Sequence, residues 1–274
     1  MRAGRIFGGA NGLRLYAALY VAFLYLPVLL LPLFSVNDSA VPNFPLTGFT
    51  WKWYESLADT PVLLDAAWNS AMVGTAAAVI ATLLGICAAR AMTRYRFRGQ
   101  KAMSGLIMAP LVLPEIIIAV ALLVVLLRLG LELSLLSVVL GHVLICVPYS
   151  VTVLIAGFEG FDRSLEEAST DLGETAFGTF RRVTLPMVAP AIVSSLLVSF
   201  TISLDEFILA FFLTGTDSTL PVYIWGQLRF AARLPTVLAL GTVMLVASFI
   251  LLTIAEIFRR RSARRTQVEG GLFA

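Results

Sequence analysis

Three carboxylates stand where a charge is costly. Glu115 is the single charged residue in the 26 residues Ala102–Leu127, and Asp205 and Glu206 are the only two in the 34 residues Val183–Thr216. An ionisable group inside a membrane-length apolar run is a functional candidate, because lipid gives its charge no solvation. No lysine or arginine lies at similar depth in these runs. An unpaired acidic set suits transient countercharge for a cationic solute and would repel sulfate, phosphate or molybdate. Glu115 lies about 12 residues into its run, so a continuous helix would hold it ~18 Å deep, near the midplane. Pro110 and Pro114 precede it. Such prolines kink a helix and free carbonyls, which is tolerated mainly where the helix lines a cavity. Asp205 and Glu206 are adjacent, so they point ~100° apart on a helix. One of them is expected to face a pathway and the other a neighbouring helix. His142 lies in the run Leu133–Phe158 and reads as a hydrogen-bonded packing group.

A second group of residues lies in Gly160–Pro190, between two apolar runs. Ser164 and Glu167 have the spacing of a capping box, which predicts a helix from Leu165. Asp162, Glu166 and Glu167 then sit near its positive end. Gly173 stands where a left-handed C-terminal cap is expected. A second short helix is predicted over Glu174–Val183, with Arg181 and Arg182 in its last turn and Pro186 beyond its end. Leu165, Ala168 and Leu172 share one face of the first helix, and Phe177, Phe180 and Thr184 share one face of the second. The segment therefore reads as two short helices with an apolar side, free either to pack on its own bundle or to dock a partner.

The elements that must position these residues are membrane spans. The chain has 274 residues, of which 59% are hydrophobic and 14% charged. Its mean hydropathy is +0.90. A soluble domain carries roughly 25% charged residues, so this composition excludes a water-soluble enzyme, a disordered chain or a disulfide scaffold. Cys87 and Cys146 sit in apolar stretches and read as small hydrophobes. A span needs ~20 apolar residues. Charge-free runs at Leu15–Asn37, Ala66–Ala89, Leu133–Phe158 and Leu234–Ala255, with the two acid-bearing runs, predict six transmembrane helices. The first run is too long for a signal-peptide core and is expected to be retained as a helix. Of the 20 lysines and arginines, 16 fall in the N-terminus, the connections after spans 2 and 4, and the C-terminus. That bias places both termini in the cytoplasm. The C-terminal RRRSARR cluster suits acidic headgroups beside a membrane rather than nucleic acid. The expected layout is residues 1–65 as a transmembrane helix with an external loop, 66–257 as a five-helix core with a cytoplasmic loop at 158–187, and 258–274 as a basic tail.

The loop also carries a resemblance. Glu167-Ala168-Ser169, Gly173, and Val183-Thr184-Leu185-Pro186 resemble the EAA loop of ABC-importer membrane subunits. Ser169 replaces that pattern's second alanine and Val183 its usual isoleucine. The resemblance implies an all-α, type I importer permease core. It implies that the first short helix docks on a separate ATPase subunit through Leu165, Glu167, Ala168 and Gly173, with Leu185 and Pro186 completing the motif. No Walker A pattern occurs in the chain, so no cofactor is expected on it; ATP and Mg would sit on the ATPase partner. The stretches Pro110–Glu115 and Ser203–Trp225 resemble spermidine/putrescine importer permeases, which implies a polyamine pathway past Glu115, Asp205 and Glu206. Iron(III) and thiamine importers share the general layout and remain alternatives. The implied partners are a second permease forming a heterodimer, two ATPase subunits, a periplasmic solute-binding protein and the bilayer of a bacterial inner membrane. Trp53, Tyr54, Tyr223 and Trp225 read as interfacial aromatics that could also meet the binding protein or a polyamine. An ion-coupled secondary transporter would instead show inverted repeats, and none is evident. A membrane enzyme would need motifs such as H-E-x-x-H or G-x-S-x-G, which are absent.

Overall fold

Apolar runs with no water to satisfy their backbone must form helices, and this chain does so almost throughout. The computed structural model describes residues 9–39 and 41–270, without the side chains of 9–11, 252 and 255–270. Arg2 and Arg5, and the side chains of the RRRSARR cluster, lie outside the described residues. The helices are α1 (Gly9–Ser35), α2 (Lys52–Ala58), α3 (Pro61–Arg94), α4 (Gln100–Met108), α5 (Glu115–Arg128), α6 (Leu135–Glu159), α7 (Ser164–Asp171), α8 (Ala176–Thr179), α9 (Leu185–Asp205), α10 (Ile208–Leu213), α11 (Leu220–Gln227) and α12 (Leu234–Gly270). The one β-bridge among the described residues joins Asn37 and Phe49.

Five stretches are long and apolar enough to cross a membrane: Gly12–Ser35, Pro61–Arg94, Leu135–Glu159, Ala176–Asp205 and Ala231–Leu251. The expected third span is not one straight helix. Gln100–Leu111 and Glu115–Arg128 meet at 102°, so the count is six when this bent pair is taken as one span. The bend has a local cause. Pro110 and Pro114 each lack an N–H, a 3₁₀ turn at Ala109–Leu111 tightens the chain, and Pro114 is extended (ψ 130°).

Two compact units divide the chain: one takes in residues up to Pro61 with Gly226–Val246, the other Val62–Trp225 with the chain from Ala247. In the first, the segment after α1 is folded onto Asn37. Its Oδ1 accepts from Thr47 N (3.0 Å) and its carbonyl from Trp53 Nε1 (2.8 Å), while Tyr54 and Ser35 share a 2.6 Å hydrogen bond. Two of the expected interfacial aromatics are thus hydrogen-bonded within the loop. Lys52 pairs with Asp38 and lies 4.6 Å from the Trp53 ring.

In the second unit, α6 and α9 run antiparallel along a polar seam. His142, Cys146 and Ser150 on α6 meet Ser203, Ser199 and Ser195 on α9, each set spaced by four residues. His142 Nδ1 and Ser203 Oγ are 2.6 Å apart, Cys146 Sγ donates to the Ser199 carbonyl at 3.4 Å, and Ser150 Oγ lies 2.7 Å from Ser195 Oγ. Thr82 of α3 joins Ser195 at 3.1 Å. Lipid tails are as apolar as leucine, so association here rests on close packing and on such bonds, each worth about 0.6–2 kcal/mol. Small residues permit the approach: a Cβ on Gly157 would lie 2.3 Å from Ala191 Cβ. His142 is a packing group, as expected, with Nε2 unpartnered among the described residues. Cys146 is buried and Cys87 exposed, both free. Two apolar clusters flank the seam. Val73, Ile118, Leu126, Ile145, Leu209 and Leu213 form one; Ala89, Leu154, Phe158, Phe161 and Val188 form the other, beneath the 160–186 loop.

Candidate functional site

The three intramembrane carboxylates all stand at helix interruptions. Glu115 is the first residue of α5, after the proline-driven break, and it is exposed. The expectation of a position within one continuous helix is therefore corrected: Glu115 lies at a helix N-terminus, where the backbone dipole favours an anion. Asp205 is the last residue of α9. Glu206 follows in extended conformation (ψ 114°), and α10 resumes at Ile208. The α5 and α10 helices pack together, with Ile118 and Ala119 near the start of α5 in one cluster with Leu209 and Ala210 near the start of α10. The two breaks thus share one neighbourhood. Irregular backbone at membrane depth is tolerated where it lines a cavity or is buried in protein.

The adjacent acids separate, as expected, but by a different cause: the helix ends at Asp205 and Glu206 is extended, so the backbone break turns them apart. Asp205 is exposed, while Glu206 is 8% exposed. The Glu206 carboxylate accepts the Leu209 N–H at 3.0 Å and so caps α10. Among the described residues, none of the three carboxylates is in an ion pair. Two residues after Asp205, the Phe207 ring lies 5.4 Å from Trp225 and 5.5 Å from Phe211. Trp225 and Phe211 are both exposed. The α11 segment that carries Trp225 is held by Ser70 Oγ, which accepts from Leu220 N (2.8 Å), and by Asn69 Nδ2, which donates to the Ser218 carbonyl (3.1 Å). Exposed carboxylates attract an ammonium by charge, and exposed aromatic faces attract it by cation–π interaction worth about 0.5–2 kcal/mol.

The 160–186 loop forms the second candidate region. Its first helix begins at Ser164, one residue earlier than expected, and Ser164 makes no capping bond. Asp162 caps in its place: Oδ1 accepts the Ser164 N–H at 2.9 Å. That backbone N–H holds the Asp162 carboxyl below the usual carboxylate range. Gly173 does end the helix in the left-handed region, at φ +85°. Its N–H reaches the Thr170 carbonyl (2.9 Å) and the Glu174 N–H reaches Ser169 (3.2 Å), the paired bonds of a Schellman cap. The second helix departs from expectation. The α8 turn, capped by Thr175, passes through a π turn at Phe180–Thr184 directly into α9. Pro186 therefore lies inside a continuous helix, near the start of α9, because the wider π turn accommodates its missing N–H.

Exposure divides the loop into two sides. Leu172 is 90% exposed, Phe177 73% and Leu165 43%. Glu167, Ala168 and Pro186 are also exposed, and Leu185 is half-buried. Phe180 and Thr184 turn inward and do not share an outer face with Phe177. Glu166, which the motif does not include, also points inward, to Arg94 and Thr184.

Comparison with known proteins agrees with this architecture. Residues 81–264 match the family model described as binding-protein-dependent transport system inner membrane component. The spermidine/putrescine transport system permease protein PotC of Haemophilus influenzae is 36% identical over 88% of this chain and 93% of its own length. The putrescine transport system permease protein PotI of Escherichia coli K12 is 35% identical over 82% of each. A bacterial ABC transporter involved in import of the acidic polysaccharide alginate superposes with a TM-score of 0.69 at 16% identity, over 93% of this chain and 94% of that one.

Proposed function

We propose a function on the ground that this chain belongs to the family of binding-protein-dependent transport system inner membrane components: it forms half of a pathway that carries polyamines, putrescine or spermidine, into the bacterial cytoplasm. The observation that carries the substrate class is the exposed Asp205, in no ion pair among the described residues, two residues before Phe207, whose ring packs on Trp225 and Phe211, with Glu115 at the neighbouring break. An alkyl diammonium needs charge for its ends and apolar or aromatic surface for its methylenes. The relatives' names point the same way. Asp205 and Glu115 give the cation transient countercharge, and Glu206 holds the break that presents Asp205.

The chain works as a transport subunit without catalysis of its own, with both termini in the cytoplasm. The exposed side of α7 and α8 docks on one of two ATPase subunits, which hold ATP and Mg. The exposed apolar face of α5 (Ile116, Ile117, Val120, Val124) suits a second permease. A periplasmic binding protein delivers the solute. ATP-driven closure of the ATPases moves α7, opening the pathway outward, and hydrolysis resets it inward. In vesicles holding the whole transporter, uptake of labelled putrescine is expected to be suppressed by excess unlabelled putrescine or spermidine. Sulfate should leave it unchanged. Suppression by thiamine or iron(III), with none by polyamines, would contradict the assignment.

A further inference from the structure

The two acids at the start of α7 have different surroundings. Glu167 is exposed. Glu166 receives two separate donors: Arg94 Nε from the end of α3 at 2.9 Å, and Thr184 Oγ1 from the π turn at 2.6 Å. The Arg94 and Glu166 side chains are 10% and 15% exposed. Thr184 is fully buried. The Arg94 guanidinium also lies 5.5 Å from the Phe161 ring, and Arg90, one turn earlier, lies 4.3 Å from the Phe180 ring. One carboxylate thus ties three elements together: the end of α3, the start of α7 and the π turn that becomes α9.

An exposed ion pair contributes little. This pair is enclosed, and each carboxylate oxygen has its own donor, so a rocking of α7 cannot be absorbed by side-chain slack. It must pull on α3 and on the π turn, and π turns are places where a helix has room to change register. From that turn α9 runs unbroken to Asp205 at its other end. We propose that Arg94, Glu166 and Thr184 form the internal link that carries movement of α7 into α3 and α9. They are positioning residues that join the docking side of the loop to the carboxylate break. The proposal rests on the reading of α7 as the ATPase-docking helix.

The test uses the whole transporter in proteoliposomes, with three readouts: ATPase subunits retained, ATP hydrolysed, and polyamine taken up per ATP. R94E and E166R are each expected to retain the ATPase subunits and to lower uptake per ATP by about tenfold, within the usual range of coupling between sites. The double variant R94E/E166R should restore uptake per ATP to within about threefold of the unaltered protein, because reversed charges re-form the pair. If a reversal variant fails to reach the membrane, R94Q and E166Q take the place of the single variants, each expected to lower uptake per ATP, without the rescue arm. Unchanged uptake per ATP in the single variants would overturn the link. So would release of the ATPase subunits by E166R, or a double variant no better than either single. The docking reading fails by a separate route: L172E, on the outer side, would then leave ATPase binding intact.

Discussion

Gly173→Val is expected to leave the protein in the membrane and to reduce ATP-driven uptake by more than about tenfold, as loss of coupling between docking and transport requires. Gly173 has φ +85°, a conformation that costs an L-residue ~1–2 kcal/mol and is worst for a β-branched one. Nothing lies within 4 Å of a Cβ placed there. With open space around the Cβ, the expected defect is one of backbone conformation. To escape the strain the chain must leave the left-handed region and lose the bonds from Gly173 N to Thr170 and from Glu174 N to Ser169. The angle between α7 and α8 changes with them, and the exposed side formed by Leu165, Leu172 and Phe177 comes apart. Asparagine tolerates this region better than other non-glycine residues, so Gly173→Asn should fall between valine and glycine. The check is uptake at matched membrane levels. Full transport by the valine variant would remove α7 from the coupling role.

Asp205→Asn is expected to slow polyamine uptake by about tenfold while leaving subunit assembly and ATP hydrolysis near normal. One ammonium–carboxylate contact at ~4 Å is worth about 1 kcal/mol in water and about 4 kcal/mol at protein-like polarity, and 1.4 kcal/mol is tenfold. The exposed Asp205 side chain makes no ion pair among the described residues, so asparagine removes charge and little else. Glu206→Gln should act differently. Glu206 is buried and caps α10 through Leu209 N; the amide keeps an acceptor but brings a donor into a buried place. Its expected effect is a lower amount of assembled transporter, with near-normal uptake per assembled complex. Equal effects of the two substitutions on uptake per complex would contradict this division of labour.

Much of this arrangement is legible in the residues because the bilayer permits few solutions. Apolar runs of span length, the capping position of Gly173 and the outward Leu165 and Leu172 follow from local spacing. What depended on distant packing did not. Pro110 and Pro114 announce a kink and cause it, but not its size: the angle is 102°, and α5 then lies against α10 and α6. Pro186 reads as a stop, whereas the π turn at Phe180–Thr184 lets the helix continue. Which acid turns outward does have a signal: Ser195, Ser199 and Ser203 mark one face of α9. Asp205, two residues after Ser203, lies nearly opposite that face and so turns outward, whereas the break that turns Glu206 inward leaves no such mark. The Glu166–Arg94 pair joins residues 72 positions apart. Its one local trace is Arg90 and Arg94 a turn apart on α3.

A cation is expected to cross this subunit on energy supplied by ATP hydrolysed on another chain. Proteoliposomes holding both permeases and both ATPase subunits, with loaded binding protein on the outer side and no ion gradient, measure it directly. Labelled polyamine uptake should require ATP on the ATPase side and persist when ionophores collapse every gradient. Uptake without ATP that follows an imposed proton or sodium gradient would contradict this expectation and identify an ion-coupled carrier.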